Sequence, residues 1–345
     1  MDGGDVCLSW EAALPLSAAK MQTNLVKDCE ACFKARLTAS THAAEYSHGT
    51  THWLDTNSEP RCLLEQLVLS ILHSHSKELT RADGVSCGAE WWTLAIDVDD
   101  EVGFHFDKDY ERESEQGINA TPTYATITYL SSEGNATLIV AKPCPSRVDE
   151  PLDDGVPIHA AWLSFPRPGK HVRFVGSWLH GAPTLDLPNA SAATTEAPKA
   201  ARSSRASGQK PKHGRRKRVS LLANIWIGSK PMQAESLPAE MARRLSPPLS
   251  KSPFELGQPT AEVAVAERPD GRRGKQGGST VGVTAHRGEQ EYNFTIAQDG
   301  AGESCLCIRL PLASIAEALA MADDPGPSLA LHFGHGEASC VDAPG

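Results

Sequence analysis

The order of apolar and polar positions along the chain predicts a β-rich fold. Seven short segments are rich in apolar, aromatic or β-branched residues, and turn residues rather than helical patterns separate them. The segments are Trp91–Val98, Val102–Phe106, Thr123–Leu130, Thr137–Ala141, Ala160–Phe165, Val172–Val175 and Val219–Ile227. Consecutive short strands of this kind predict a β-sandwich or barrel of the jelly-roll type.

Two helical patterns precede these strands. The segment Ser17–Leu37 carries mixed helical signals. Apolar residues then recur at helical spacing at Leu63, Leu64, Leu67, Val68, Ile71 and Leu72. Because Pro60 stands just before this second pattern, and the polar residues His73–His75 end it, the pattern predicts one helix. The predicted fold class is therefore mostly β, with flanking helices and a jelly-roll core.

Composition divides the chain into three predicted parts. Residues 1–49 form an N-terminal helical or irregular segment, residues 50–232 form the jelly-roll domain, and residues 233–345 form a Pro/Gly-rich extension. Weak strand signals in the extension are Ala261–Ala266, Thr280–Ala285, Tyr292–Ala297, Cys305–Leu310 and Leu329–Phe333. The sequence leaves open whether these strands join the main sheets or form a separate module.

A low-complexity insertion covers residues 188–217, between two of the predicted strands. It is rich in Ala, Ser, Thr and Pro, and it becomes strongly basic in Lys210–Arg218. Such a composition cannot bury enough apolar surface to order itself, so we expect a mobile surface loop. Its basic end could act as a nuclear-localisation or nucleic-acid patch. A solvated loop in an acidic protein is the favoured interpretation.

Charge and cysteine content narrow the cellular setting. The formal net charge of -10 argues against a dedicated nucleic-acid binder. No apolar run approaches the roughly 18 residues of a membrane span. Nine cysteines without framework spacing suit a reducing compartment. We therefore expect an intracellular protein, cytoplasmic or nuclear, with no membrane partner.

Candidate metal ligands lie in two short segments. In Gly103–Asp107, His105 and Asp107 are two residues apart, so on a strand their side chains project from one face. The segment Ser177–Gly181 contributes His180. Two imidazoles and one carboxylate on the same side of a metal form the facial triad of non-haem Fe(II) oxygenases. Taken singly, each residue also has a structural interpretation, as a buried histidine, a turn cap or a strand end.

The order of further motifs resembles a known family. The motifs are His105-Phe106-Asp107, Thr126-Ile127-Thr128-Tyr129-Leu130-Ser131, Leu179-His180-Gly181-Ala182-Pro183, Arg218-Val219-Ser220 and Asn224-Ile225-Trp226. They look like the landmarks of 2-oxoglutarate/Fe(II)-dependent dioxygenases, and most closely of the prolyl 4-hydroxylase-like branch. The resemblance implies a double-stranded β-helix in which His105, Asp107 and His180 hold Fe(II). It also implies 2-oxoglutarate as co-substrate and no catalytic side chain beyond the metal centre.

The resemblance further implies a basic residue that pairs with the far carboxylate of 2-oxoglutarate. Arg218 matches that place, and a guanidinium offers two donors to a carboxylate. It follows the distal histidine by 38 residues, against roughly ten in the family. An insertion that loops out between adjacent strands explains the excess, because loop-closure entropy grows only logarithmically with length. Strand alternation disfavours Lys217 and leaves Arg216 as an alternative, while Tyr129 or Thr128 could add a hydroxyl hydrogen bond.

The predicted function is an Fe(II)- and 2-oxoglutarate-dependent oxygenase. Its substrate is expected to be a protein, with prolyl residues as the family-level candidate, or a small molecule. One alternative is a cupin-like jelly roll that binds a metal without 2-oxoglutarate and gives Arg218 no role. Another is a non-catalytic module that uses the basic loop as a contact surface. Nucleic acid bound through Lys210–Arg218 is a less favoured partner.

Overall fold

The computed structural model describes residues 7–14, 19–39, 50–76, 86–187, 216–259, 261–263, 282–284, 289–296, 304–322, 327–334 and 336–342. Its strands are β1 Cys7–Trp10, β2 His52–Asp55, β3 Cys87–Asp97, β4 Val102–His105, β5 Tyr124–Tyr129, β6 Thr137–Pro143, β7 Ala160–Ser164, β8 His171–Val175, β9 Trp178–Ala182, β10 Lys217–Ile227, β11 Ala261–Val263, β12 Gly282–Thr284, β13 Glu289–Ile296, β14 Ser304–Pro311, β15 Ser328–His332 and β16 Ala338–Asp342. Its helices are α1 Ala19–Ala39, α2 Leu63–Ser76, α3 Tyr110–Gln116, α4 Ala239–Arg244 and α5 Leu312–Met321.

Two sheets form the β core. The first has the strand order β11-β1-β8-β5-β10-β3-β2, and the second has the order β12-β15-β7-β6-β9-β4-β13-β14-β16. The eight consecutive strands β3 to β10 divide equally between the sheets, and neighbours among them pair antiparallel. This strand order is a double-stranded β-helix, so the predicted jelly-roll core is confirmed.

Helices α1 and α2 cover the outer face of the first sheet. The six apolar residues that predicted α2 are all buried, and α1 and α2 both contact β3 and β10. Along β10, Val219, Leu221 and Ala223 belong to this outer core, whereas Arg218 and Leu222 line a cavity between the sheets. The alternation predicted for this strand is therefore confirmed.

An aromatic core fills one part of the space between the sheets. The indoles of Trp162 and Trp178 stack with their centroids 4.8 Å apart, and Phe174 and Tyr129 are fully buried beside them. Burial of each such side chain contributes about 1.5–3 kcal/mol to stability. The packed core thus fixes the two sheets against each other and leaves the cavity near β4, β9 and β10.

The C-terminal strands extend both sheets, which answers a question that the sequence left open. Strand β15 pairs with β7, and β13 joins β4 through Ile296 and Phe104. Strand β11 pairs with β1, which in turn pairs with β8. The weak strand signals of the extension therefore mark strands of the main sheets. The division of the chain at residues 49/50 and 232/233 stays a prediction.

Several short elements were not predicted from sequence. These are β1, β2, β9, β16 and α3. Most of the predicted insertion, residues 188–215, lies outside the described residues, and β10 begins at Lys217. None of the described helices combines the length and apolar character needed to span a membrane.

Candidate active site

The two candidate histidine ligands lie directly opposite each other on neighbouring strands. Strands β4 and β9 pair antiparallel, with the Cα atoms of His105 and His180 in register. The jelly-roll winding thus brings together two residues that are 75 positions apart in the chain. Both side chains are buried, and Asp107 follows two residues after His105 and is buried with them.

The three predicted metal ligands converge on one point. Nε2 of His105 lies 3.7 Å from Oδ1 of Asp107, and Nε2 of His180 lies 3.6 Å from Oδ2 of the same carboxylate. The two imidazole centroids are 4.5 Å apart. Among the described residues, no other group of three or more histidine, cysteine, aspartate or glutamate side chains is arranged to hold a metal ion.

Hydrogen bonds fix the tautomer of both imidazoles. Nδ1 of His105 lies 2.8 Å from the carbonyl oxygen of Gly103, and Nδ1 of His180 lies 3.0 Å from that of Trp178. Since a carbonyl oxygen only accepts, each Nδ1 must carry the proton and donate it. In a neutral imidazole the lone pair is then on Nε2, the nitrogen that lies 3.6–3.7 Å from the Asp107 carboxylate. This arrangement is typical of metal-ligating histidines.

Helix α3 positions the segment that carries Asp107. The Asp109 carboxylate accepts a hydrogen bond from the Arg112 backbone N–H and caps the helix. The Tyr110 hydroxyl donates to the carbonyl oxygen of Phe106. The residues on both sides of Asp107 are therefore tied to the first turn of α3.

The glycine after His180 permits the close approach of β4 and β9. A Cβ atom on Gly181 would lie 3.0 Å from the Val102 carbonyl oxygen and 3.2 Å from the Phe104 Cα. Both contacts are tighter than an ordinary van der Waals distance and involve backbone atoms, which cannot rotate away. Gly181 therefore lets β9 lie close to β4, and this spacing places His180 next to His105.

Arg218 lies in the same cavity as the three metal-ligand candidates. The residue is only 3% exposed, and its Nη2 donates to Oγ1 of Thr137 at 2.7 Å. Its other two nitrogens, Nε and Nη1, are buried with no hydrogen-bond partner among the described residues. Burial lowers the pKa of the guanidinium from its ordinary value, while the nearby Tyr129 opposes the shift. A bound carboxylate would accept hydrogen bonds from N–H groups that the protein leaves unused.

The structure distinguishes between the residues that were predicted to bind the far carboxylate of 2-oxoglutarate. Arg216 has a side chain that is 62% exposed and pairs with Glu133, so it does not reach the cavity. The Tyr129 ring packs against the Arg218 guanidinium, 5.7 Å from centroid to Cζ. The Tyr129 hydroxyl is engaged by the hydroxyl of Thr137 at 2.7 Å. Tyr129 therefore supports Arg218 from behind instead of facing the cavity.

Thr128 is placed differently from its predicted role. Its hydroxyl lies 2.8 Å from Nδ1 of His171, and it does not line the cavity. The reason is strand alternation, because Thr128 and Tyr129 project to opposite faces of β5. Thr137, which sequence patterns did not single out, provides the hydroxyl beside Arg218. Its only sequence signal is its place at the start of a predicted strand.

The cavity has a volume of about 170 Å³. Its walls include Trp92, and two buried polar residues to which the sequence analysis gave no role, Glu90 and Asn224. The available signal was a carboxylate and a carboxamide within otherwise apolar strand sequences, since such groups are rarely buried without a role.

The residues present fit the groups that the sequence motifs imply. Two imidazole lone pairs and one carboxylate form the donor set of non-haem Fe(II) sites. Arg218 has N–H groups left to bind the far carboxylate of 2-oxoglutarate, since Nη2 has a second N–H beside Nη1 and a guanidinium can bind a carboxylate through two parallel hydrogen bonds. The triad and Arg218 line one cavity, so a metal and an organic acid bound there would adjoin.

No family model and no curated protein matches the chain. Solved structures do. An oxidoreductase of the 2OG-Fe(II) oxygenase family from Burkholderia pseudomallei is 10% identical, with 54% of this chain and 68% of that chain covered and a TM-score of 0.26. A Pseudomonas putida prolyl-4-hydroxylase is 12% identical, with 66% and 95% covered and a TM-score of 0.30. EctD from S. alaskensis, solved with 2-oxoglutarate and 5-hydroxyectoine, is 15% identical, with 72% and 83% covered and a TM-score of 0.33.

One of these solved structures is described as a member of the 2OG-Fe(II) oxygenase family, which the sequence motifs resemble.

Proposed function

We propose that the protein is an Fe(II)- and 2-oxoglutarate-dependent oxygenase. His105, Asp107 and His180 would hold the iron, and Arg218 would bind the far carboxylate of 2-oxoglutarate. When bound, this pair supplies the oxidation of a substrate C–H bond by dioxygen, coupled to the oxidation of 2-oxoglutarate to succinate and carbon dioxide.

The observation that carries the proposal is that Arg218 lines the same cavity as His105, Asp107 and His180. A metal site alone is compatible with many jelly-roll proteins. A buried guanidinium with two unused donors calls for an anion, because an uncompensated buried charge costs several kcal/mol. Among the described residues, Arg218 has no carboxylate partner within ion-pair distance. An organic acid that enters the cavity provides one.

The protein's own residues orient and protect these groups. The carbonyl oxygens of Gly103 and Trp178 hold each ligand imidazole in the tautomer that directs Nε2 inward. Thr137 and Tyr129 hold Arg218 at the co-substrate end. Apolar side chains complete this part of the cavity and limit the entry of water: Leu94, Val102, Ile127, Ala182 and Leu222.

Anaerobic spectroscopy tests the proposal directly. Fe(II) and 2-oxoglutarate added together to the metal-free protein should give the weak visible charge-transfer band of the chelate. Exposure to dioxygen should then convert 2-oxoglutarate to succinate. The Asp107→Ala variant serves as the negative control, since it loses the only anionic ligand of the triad.

The outcomes separate the alternatives. Iron that binds without the band would favour a cupin-like metal site in which Arg218 has no co-substrate. Failure to bind iron at all would favour a non-catalytic module. The substrate, expected from sequence to be a protein prolyl residue or a small molecule, stays a prediction.

A further inference from the structure

The cavity has a second polar end, formed by Glu90 and Asn224. Their Cα atoms are opposite each other in the pairing of β3 with β10, and both residues line the cavity. Asn224 lies six residues beyond Arg218 on β10. At about 3.3 Å per residue, the two ends are roughly 20 Å apart along the strand. The Glu90–Asn224 end is therefore separate from the place of the co-substrate carboxylate.

Glu90 is a buried carboxylate whose protein partners are both neutral. The Thr51 hydroxyl donates to Oε1 at 2.7 Å, and the Trp226 indole N–H donates to Oε2 at 3.1 Å. Among the described residues, no lysine, arginine or histidine forms an ion pair with it. Burial raises the pKa of Glu90 to about 7, and the negative charges of Asp107 and Asp109 add to the shift. The protein alone thus leaves this charge uncompensated.

The other charged residues around this end are already engaged. Lys108 pairs with Glu113, which is also buried. Glu111 accepts a hydrogen bond from Gln233, and Asp109 caps α3. Among the described residues, the one ammonium group that lines the cavity is therefore taken by another carboxylate.

Asn224 provides a second, independent observation at this end of the cavity. The residue is 2% exposed, and its Oδ1 is buried with no hydrogen-bond partner among the described residues. Buried acceptors without partners are rare, since each costs about 1–3 kcal/mol. Glu90 also has unused capacity, because a carboxylate can accept about four hydrogen bonds and Glu90 accepts two. Both side chains thus call for N–H donors.

We propose that the substrate of this site carries a basic nitrogen group, an ammonium or a guanidinium, which binds between Glu90 and Asn224. The inference rests on the proposed function only in treating the bound molecule as the molecule to be oxidised. The walls beside this end include Trp92 and Pro231, which suit the aliphatic part of such a molecule. The cation could belong to a free amine or to a basic side chain of a peptide.

Matched pairs of probes test the charge requirement without relying on turnover. The probes are butylguanidinium against the neutral butylurea, butylammonium against butanol, and a blocked tripeptide with central arginine against the same peptide with citrulline. Affinities are measured by anaerobic calorimetry, with and without Fe(II) and 2-oxoglutarate. The cation of at least one pair should bind on the order of 10- to 100-fold more tightly than its neutral partner. Binding of the butyl cations indicates a free amine as the source, and binding of the arginine peptide alone indicates a peptide side chain.

Variants separate a charge requirement from a structural role of Glu90. Glu90→Gln should remove most of the preference for the cation and change the affinity for the neutral probe less than about twofold. Asn224→Ala should weaken both members of a pair to a similar extent, because it removes an acceptor but no charge. The control is Glu59→Gln, an exposed carboxylate outside the cavity that pairs with Lys251. It should change nothing.

Equal affinity within every pair, no binding of any cation, or a preference that survives in Glu90→Gln would overturn the inference. If Glu90→Gln does not fold, the comparison within each pair on the wild-type protein still decides. The proposed function fails separately, through absence of the charge-transfer band. A cation preference without that band would keep the binding site and remove the oxygenase.

Discussion

Arg218 shows how a single buried residue can define what a cavity accepts. Its aliphatic part lies under the turn at Gly134, where a Cβ atom would come within 2.7 Å of the Arg218 Cβ. Gly134 has a φ of 92°, a conformation that residues with a side chain rarely adopt. Gly134 thus contacts the aliphatic part of Arg218, and Tyr129 packs against its guanidinium.

Replacement of Arg218 should act on the co-substrate and not on the metal. Arg218→Ala removes one partner of a buried charged pair, which typically costs about 3–5 kcal/mol, or several hundred-fold or more in 2-oxoglutarate affinity. Fe(II) affinity should change little, since Arg218 is not among the metal-ligand candidates. Arg218→Lys should rescue only in part, because a point charge replaces a two-donor fork. Titration of the charge-transfer band measures the dissociation constant.

Arg216→Ala is the matched control for this experiment. Its side chain lies on the surface beside Glu133, so the affinity for 2-oxoglutarate should stay within about twofold of the wild-type value. Unchanged affinity in Arg218→Ala would remove the co-substrate from this end of the cavity.

Replacement of any one of the three candidate metal-binding side chains should abolish metal binding and leave the fold intact. His105→Ala, His180→Ala and Asp107→Ala each remove one of three donors, so we expect no stoichiometric Fe(II) by metal analysis after anaerobic loading. Circular dichroism should remain that of the wild-type protein, because the packed aromatic core lies elsewhere between the sheets. The exposed His159 offers a control, His159→Ala, which should bind iron normally. Full iron occupancy in any of the three variants would exclude that residue from the site.

At this scale the sequence located His105, Asp107, His180 and Arg218, because each stands in a motif whose spacing has a chemical meaning. It could not choose between Tyr129 and Thr128. Both faces of β5 are buried, so the pattern of apolar residues holds no contrast between inside and outside. The correct face depends on which sheet surface the helices cover, and that is a tertiary property.

At the scale of elements, the spacing of β4 and β9 sets the geometry of the metal site. Gly181→Ala should push these strands apart, since its Cβ would meet backbone atoms of Val102 and Phe104. Overpacking of this kind typically costs about 1–3 kcal/mol of unfolding free energy. We also expect weaker Fe(II) binding, because the displaced strands carry both histidine ligands. Urea unfolding of the metal-free protein and an iron titration measure the two effects.

Gly103→Ala is the control for strand spacing. Gly103 lies on the same strand β4, and a Cβ atom there meets nothing within 4 Å. Its carbonyl oxygen, which orients His105, is kept in the variant. Stability and iron affinity should therefore stay near the wild-type values. Equal losses in both glycine variants would show that strand spacing is not the cause.

Element prediction succeeded where a pattern was long and failed where it was short. Helix α2 has six apolar residues at helical spacing, and the central strands have enough residues to show their character. Helix α3 has only seven residues, too few for a periodic signal. Its ends were nevertheless encoded, by Asp109 as N-cap and by Gly117 with a φ of 65° after the last turn. Capping residues, and not periodicity, would have located this element.

At the scale of the whole molecule, sequence patterns predicted most of the strands but not all of their partners. Strand β15 pairs with β7 across more than 150 residues, and β13 reaches β4 across nearly 200. No local pattern specifies such a pairing, because it depends on which sheet edge remains free after the jelly roll has closed. The family resemblance predicted the jelly-roll arrangement of the central strands. It did not cover the strands that are added at the edges of the two sheets.

The pH dependence of global stability is set in part by buried groups with opposite shifts. His171 packs against His75, with the two Nε2 atoms 2.9 Å apart, and beside Trp10. Burial, with a contribution from Arg173, lowers the pKa of His171 to about 3, and burial likewise lowers that of His75. Glu90 behaves oppositely, since its pKa is raised to about 7.

The signs follow from which state binds more protons. Between pH 7 and pH 5, the unfolded state protonates His171 near its ordinary pKa of 6.5 while the folded state does not, so acidification destabilises the fold. Over the same interval the folded state protonates Glu90 while the unfolded state, with a pKa of 4.5, mostly does not. Acidification therefore stabilises the fold through Glu90. At 1.36 kcal/mol per pKa unit, each effect amounts to about 2 kcal/mol over this interval.

Two variants should consequently change the pH profile in opposite directions. Unfolding free energies are measured by urea denaturation at pH 7 and pH 5, with a chelator present so that metal binding does not contribute. On going from pH 7 to pH 5, His171→Gln should lose about 2 kcal/mol less than the wild-type protein, and Glu90→Gln should lose about 2 kcal/mol more. His159→Gln, at an exposed histidine, should follow the wild-type profile.

A pH profile unchanged in His171→Gln would show that this histidine is protonated to the same extent in the folded and unfolded states. A pH profile unchanged in Glu90→Gln would show the same for the Glu90 carboxylate. Such a result for Glu90 would mean that its charge is already matched inside the folded protein, which removes the physical reason for a cation at that end of the cavity.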